Sequence, residues 1–241
     1  LKERLSLRAL AGWDLLNFFE GEKGINSANY ILCMGNNVTY NSYIKYGVPK
    51  NKIKMLNYAV ENFPLRAKSK PDRYHNEKRY VYVTSEIGLR KGFDIVYSLF
   101  TNPKILEQKF HLDIIGLPTN NYYKKKLQKF QQILKKKTYY YGWIDSNKKK
   151  YWGIIKSNDF VILPSLEEGQ AGSLLEAISC SVVPLISRYT GIDFSPLGML
   201  EPKINSIHNK NIILKSIILP KAELETLKNK TLEYYQEYHH N

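Results

Sequence analysis

The stretch Phe160-Val161-Ile162-Leu163-Pro164-Ser165-Leu166-Glu167-Glu168-Gly169-Gln170-Ala171-Gly172-Ser173-Leu174-Leu175-Glu176-Ala177 decides the fold. Its four opening apolar residues make too short a run for a helix, and Pro164 bounds them, so they read as a strand buried on both faces. A glycine-containing loop follows, and from Ser173 the apolar positions take up helical spacing. A strand feeding a helix through such a loop is the repeating unit of a parallel sheet.

The same unit recurs on both sides of this stretch. Strands are expected at Tyr30–Met34, Lys52–Tyr58, Arg79–Thr84, His111–Ile115, Thr138–Tyr141 and Val182–Ile186. Helices are expected at Val38–Tyr46, Gly92–Phe100, Tyr122–Lys136, Lys148–Lys156, Ser173–Cys180 and Lys221–Tyr238. Their alternation predicts an α/β protein with a Rossmann-like, doubly wound parallel sheet, in which ligands sit beyond the carboxyl ends of the strands. Residues 1–63 carry two strands, too few for a sheet, and read as the tail end of a preceding domain. Residues 64–77, polar with Pro71 inside, read as a linker, 78–220 as the Rossmann-like domain and 221–241 as a C-terminal helix. Opening at Leu1 rather than Met, the chain reads as a piece of a longer protein.

Composition narrows the function classes. Of 241 residues, 43% are hydrophobic and 24% charged, the balance of a globular protein. No apolar run is long enough to cross a bilayer, and two cysteines give neither a disulfide framework nor a zinc pattern. A cytoplasmic protein is the expectation. The formal charge of +14 is uneven: ten lysines and one acid, Asp145, lie between Lys124 and Lys150. Such a stretch reads either as a solvated helix face or as a surface for anionic lipid headgroups, the latter placing the protein at the inner face of a membrane. Tyrosines nearby could stack on bases, but no RNP, KH or helix-turn-helix pattern accompanies them, so no nucleic-acid partner is expected.

Candidate chemistry follows two strands. After Arg79–Thr84 comes Ser85-Glu86-Ile87-Gly88-Leu89-Arg90-Lys91-Gly92, a glycine-containing loop with two adjacent cations before a helix. Backbone N–H groups, the positive helix end and the Arg90 and Lys91 charges suit a diphosphate, although such a loop is also common on plain surfaces. Neither the Walker spacing nor G-x-G-x-x-G is present. In the second loop, Glu168 and Glu176 can face one crevice, where carboxylates accept bonds from vicinal hydroxyls. Between them the free amides near Leu174 and Leu175 could meet a phosphate. Ser173-x-x-Glu176 also fits a capping box, in which Glu176 would only bond back to the Ser173 amide. The histidines His75, His111, His208, His239 and His240 lie away from both loops and read as structural or surface groups.

In combination, Pro164-Ser165, Glu168-Gly169, Leu174-Leu175-Glu176-Ala177 and Pro184 resemble the signature of the family 4 retaining glycosyltransferases of GT-B fold. Ala28-Asn29-Tyr30-Ile31, Gly47-Val48-Pro49, Asn57 to Phe63, Lys91-Gly92, Ile115-Gly116, Tyr141-Gly142-Trp143-Ile144 and Thr190-Gly191-Ile192 follow in family order, so the likeness runs from about Ala28 to Gly198. The resemblance implies the C-terminal, donor-binding half of such an enzyme, with residues 1–63 the end of an acceptor domain. It implies that Glu168 bonds donor-sugar hydroxyls while the Gly169, Gln170, Ala171 and Gly172 backbone lies close to the sugar. Glu176 would hold the ribose diol, Ser173 would belong to the same donor-binding set, and Lys91 would neutralise the departing diphosphate together with the helix-start amides at Leu174 and Leu175. Gly88 and Arg90 would flank that diphosphate, and Trp143 and Ile144 would touch the base. A UDP-, GDP- or ADP-sugar would be the donor, a glycan or lipid-linked molecule the acceptor, and neither metal nor cofactor is expected. The isolated chain would bind donor without transferring sugar.

Three departures qualify the resemblance. Glu86 stands where the family has an arginine, with Arg90 on the other side of the loop as a substitute. Gln170-Ala171-Gly172 replaces the usual Phe-Gly-Leu, and Ser181 stands where glycine is usual. A module that has lost donor chemistry and binds a partner or a membrane surface is the rival reading.

Overall fold

A computed structural model describes residues 24–25, 27–57 and 77–239. The expected linker, apart from Glu77, lies outside the described residues, as do Tyr58 to Phe63. Seven strands are described: β1 (Ile31–Met34), β2 (Ile53–Leu56), β3 (Lys78–Ile87), β4 (Phe110–Pro118), β5 (Thr138–Tyr140), β6 (Phe160–Leu163) and β7 (Val183–Ile186). The helices are α1 (Asn37–Lys45), α2 (Phe93–Phe100), α3 (Pro103–Leu106), α4 (Asn121–Leu134), α5 (Lys149–Lys156), α6 (Gly172–Ser179), α7 (Ile207–Ile218) and α8 (Lys221–Tyr238).

Strands β3 to β7 form one all-parallel sheet in the order β5-β4-β3-β6-β7. Parallel strands need helical crossovers, and the crossovers cover both faces, so the central strands carry unbroken apolar runs. All four residues of β6 are buried, as are Tyr80 to Thr84 of β3. Tyr80 anchors the middle of the core: its ring packs against Phe100, Phe110 and Phe160 at centroid distances of 5.3, 6.5 and 5.2 Å, and its hydroxyl meets Ser216 Oγ at 2.7 Å. That one hydroxyl satisfies the polar end of a large buried ring.

The strand order reverses between β3 and β6. The chain leaves β3 toward β4 and β5 on one side, and toward β7 from β6 on the other, so the loops after β3 and β6 diverge and leave a crevice at their carboxyl ends. α2 and α4 share one face of the sheet, where Phe93 packs on Phe130 and the Tyr123 hydroxyl donates to Asp94 (2.7 Å). α5, α6 and α8 share the other.

β1 and β2 form a separate two-stranded parallel sheet with α1 against it, around Ile31, Cys33, Val48 and Ile53. Asn36 ties this part to the larger sheet. Its carbonyl oxygen caps α1 by accepting from Val38 N (3.0 Å), while its amide donates to Arg188 O (3.1 Å) and Asp193 Oδ1 (2.6 Å). At the far end of the chain, Asn57 Nδ2 donates to the carbonyl of Tyr238 in α8 (3.4 Å).

Two expectations are corrected here. β3 runs on to Ile87 past Thr84, with a register irregularity between Val83 and Glu86, so Glu86 belongs to a strand end rather than to the loop. α3 and α7 have no counterpart in the sequence reading. The β-branched run Ile212-Ile213 argues for a strand, yet Ser206 caps α7 by accepting from Asn209 N (3.2 Å), and the buried Asn209 side chain donates to Glu201 O (2.8 Å). Tertiary contacts override local propensity there.

Candidate donor-binding site

The loops after β3 and β6 are laced together before any ligand is considered. The carbonyl of Arg90 accepts from both Ser165 Oγ and Leu166 N, each at 2.8 Å. The carbonyl of Lys91 accepts from the buried Tyr82 hydroxyl at 3.1 Å. Gly92, at φ +71°, is the N-cap of α2, and a β-carbon there would stand 2.0 Å from Pro164 O. Only glycine fits a left-handed position so close to another backbone. The turn therefore carries Lys91 to the end of β6.

At that point the charged side chains converge. Lys91 Nζ is ion-paired with Glu168 Oε1, which also accepts from Ser165 Oγ at 3.0 Å. Arg90 approaches the other oxygen of Glu168 at 3.6 Å and is bonded to Glu86 through Nε at 2.9 Å and through a second nitrogen. The Lys91 and Glu168 side chains are 11% and 8% exposed, against 34% for Arg90, so the inner pair is shielded and the outer one open to water. Two carboxylates face two cations, and the cluster is formally neutral.

The second glutamate sits on the first turns of α6. The helix begins at Gly172, one residue earlier than the sequence suggests, with Ala171 as an N-cap that gives no side-chain bond. Ser173 therefore caps nothing: its hydroxyl donates to Val83 O in β3 at 3.1 Å. Glu176 accepts instead from the hydroxyl of Tyr151 in α5. The capping-box alternative is thus excluded, since both of its side chains are engaged elsewhere. Burial pushes the Glu176 carboxyl above its ordinary pKa, with the Tyr151 bond acting in the opposite sense. The early helix start also moves the open amides. Leu174 N and Leu175 N both point at Ala171 O (3.1 and 3.2 Å), and among the described residues the amides of Gly172 and Ser173 are the ones left for an anion.

The loop between the glutamates is fixed from the side. Gly191, at φ +76°, lies so close that a β-carbon on it would fall 1.7 Å from Gly169 O. Ala171 N donates to Thr190 O (3.3 Å), Gln170 Nε2 reaches Gly191 O (3.5 Å), and Ser187 Oγ donates to Ser165 O. Ser181, where the resemblance calls for glycine, has φ +62°, the left-handed conformation that glycine adopts without cost.

Lys91, Arg90 and Glu168 are brought together at the crevice, with Gly169 to Ser173 following Glu168 into α6, whereas Gly88 faces Thr119 and its carbonyl accepts from Phe93 N (3.1 Å). Trp143 and Ile144 stand apart at the carboxyl end of β5, Trp143 58% exposed and Ile144 packed on the core. Three residues at the site carried no role in the sequence reading: Tyr151, Ser165 and Ser187. Ser165 lies within the motif itself, whereas Tyr151 becomes visible only when α5 and α6 are seen side by side. His111 bonds Asp113 (2.9 Å) at the opposite end of the sheet, away from the crevice. Among the described residues no cluster of His, Cys, Asp and Glu could hold a metal, and no helix is long and apolar enough to cross a membrane.

The all-parallel sheet with its crevice at the β3–β6 reversal and helices on both faces is the arrangement of a GT-B glycosyltransferase domain. Residues 66–193 match the family described as Glycosyl transferases group 1, and the chain belongs to that family. Among solved structures it resembles HepE of Anabaena in complex with UDP-glucose, at TM-score 0.70 and 15% identity over 90% of this chain and 61% of that one. It also resembles TarM of S. aureus, in a complex containing UDP, at TM-score 0.64 and 14% identity over 89% of this chain and 42% of that one. The catalytic domain of cholesterol-α-glucosyltransferase from Helicobacter pylori aligns at TM-score 0.51 and 19% identity over 67% of this chain and 98% of that one. At these identities the likeness is one of fold, and the chain spans less than two thirds of the length of HepE and of TarM. No curated protein sequence matches the chain.

Proposed function

We propose that this chain supplies the donor-binding half of a retaining glycosyltransferase that takes its sugar from a nucleoside-diphosphate sugar without a metal. The observation that carries the reading is the meeting of Lys91, Arg90 and Glu168 at the crevice where the strand order reverses, with Glu176 on the helix that begins beside them. A diphosphate entering there finds two cations and the open amides of Gly172 and Ser173 at a helix start. Glu168 exchanges its bond with Lys91 for donor-sugar hydroxyls, which frees the ammonium for the phosphate. Glu176 takes the ribose diol, and Trp143 and Ile144 take the base. Stabilising charge on the departing phosphate is then the chain's main contribution to transfer. Complexes of HepE and TarM containing UDP support the choice of donor class. In this reading residues 1–63 close an acceptor domain, 64–77 link it to 78–220, and 221–241 are the C-terminal helix.

Equilibrium binding of UDP-, GDP- and ADP-sugars tests the reading. One of them binds the wild-type chain, and Lys91→Met and Glu168→Gln each weaken it about tenfold or more, as loss of a charge-assisted bond requires. Binding of none, or binding indifferent to both substitutions, refutes it.

The bond between Arg90 and Glu86 favours a second reading, a GT-B-like module without donor chemistry, because it neutralises the outer cation. Glu86→Gln separates the two. Under donor binding it releases Arg90 and tightens nucleotide; under the second reading it creates no nucleotide binding at all.

A further inference from the structure

Strand β5 forms one edge of the larger sheet and packs against α4, and the lysine-rich segment runs from α4 through this edge strand to the start of α5. The lysines divide into two groups there. Lys126 is paired with Asp94, and Lys137 donates to the carbonyls of Leu106 and Gln108 at 2.5 Å, so these two hold α4 and the turn after it in place. Lys124, Lys125, Lys129, Lys135, Lys136 and the run Lys148–Lys150 are exposed. Among the described residues none of these eight is ion-paired. The single acid of the segment, Asp145, accepts from Asn147 N within its own turn (2.9 Å).

Two tyrosine side chains stand out among these lysines. Tyr122 and Tyr139 are 61% and 57% exposed. Tyr139 packs on Tyr141 (4.5 Å between centroids), which in turn lies under Lys150 Nζ (5.9 Å), linking the edge strand to the start of α5. We infer that this edge is a docking surface for an anionic bilayer. Unpaired lysines are drawn to acidic headgroups, and exposed tyrosines settle at headgroup depth, so the two features reinforce each other on one surface. The surface is the outward edge of the sheet at β5 beside α4. Single-stranded nucleic acid is instead held in a groove that tracks its backbone. The inference is independent of donor chemistry, because none of the exposed lysines lies in the crevice.

Vesicle co-sedimentation of the whole chain tests it. The chain is expected to sediment with an equal mixture of phosphatidylcholine and phosphatidylglycerol, to stay in solution with phosphatidylcholine alone, and to be partly released by salt. The variant K124E/K125E/K135E/K136E should lose binding by more than about tenfold, and Y122S/Y139S should bind but release at lower salt. Melting curves establish that each variant is folded, and K124Q/K125Q/K135Q/K136Q replaces the first if charge reversal unfolds it. Failure to sediment, equal binding by the folded lysine variant, or preference for a single-stranded oligonucleotide in competition with the vesicles would overturn the inference. Nucleotide affinity, measured on the same samples, reports on the donor reading separately.

Discussion

Replacing Tyr151 by Phe removes one oxygen from the structure and leaves the ring in place, so it isolates what the hydroxyl does for Glu176. Tyr151 is 3% exposed, and its hydroxyl is the described partner of the Glu176 carboxylate. A hydrogen bond to a charged group contributes about 1.5–3 kcal/mol net, and Glu176 is only partly buried, so a cost near 2 kcal/mol is expected at neutral pH. For a chain of this size that lowers the melting temperature by about 4–8 °C. The pH dependence follows from the direction of the Glu176 shift. Its folded-state pKa lies above the ordinary 4.5, so the folded state holds its proton more tightly than the unfolded one. The associated stability is fully present below 4.5 and is lost as pH rises through the folded pKa. The tyrosine hydroxyl offsets part of that loss. Tyr151→Phe should therefore cost most above the folded pKa and shrink toward the value of a neutral bond, about 1 kcal/mol, below it. Urea denaturation of wild type and variant across this range is the assay. A cost that is the same at every pH, or under about 0.5 kcal/mol throughout, would show that the hydroxyl does not serve the carboxylate.

Three further outcomes follow. Gly191→Ala combines a left-handed backbone, worth about 1–2 kcal/mol to a residue with a β-carbon, with an overlap on Gly169 O that forces the Gly169 loop to move; denaturation midpoint and, if the proposed site binds nucleotide, nucleotide affinity should both fall. Ser181→Gly relieves a φ of +62° without removing a contact to the crevice and should raise stability by about 0.5–1 kcal/mol in the same assay. Asp113→Asn should destabilise by about 3 kcal/mol, because the fully buried carboxylate is held by Arg79 (3.2 Å), His111 (2.9 Å) and Asn158 (3.0 Å). Burial alone raises its pKa, but the bonds from His111 and Asn158 and the charges of His111 and Arg79 prevail and set it below 3.8. Its contribution is present above 3.8 and lost as pH falls through the folded value, so the variant's stability should fall less steeply in acid.

Much of this was legible because the fold writes itself in short apolar runs. Phe160–Leu163 has one reading as a buried parallel strand, and the structure gives it those bounds. Lys91, Glu168 and Glu176 could be picked out because each follows a strand. Partners set by tertiary neighbours could not be. Ser173-x-x-Glu176 satisfies the rule for a capping box, yet Val83 O and the Tyr151 hydroxyl lie within reach and take both side chains. Nothing in the sequence separation of 25 between Tyr151 and Glu176 announces that α5 and α6 stand together. α7 was hidden for a related reason: a capping serine and a buried asparagine outweigh a β-branched run that favours a strand by itself.

The most direct measurement of the central claim is the melting temperature of this chain with and without nucleoside diphosphates and their sugars, for wild type and Glu176→Ala. If the crevice is a donor site, one of UDP, GDP or ADP, or its sugar, raises the melting temperature of the wild type by mass action, and the shift disappears in a Glu176→Ala chain that is still folded. A wild-type chain unmoved by all of them, or an equal shift in the variant, contradicts it.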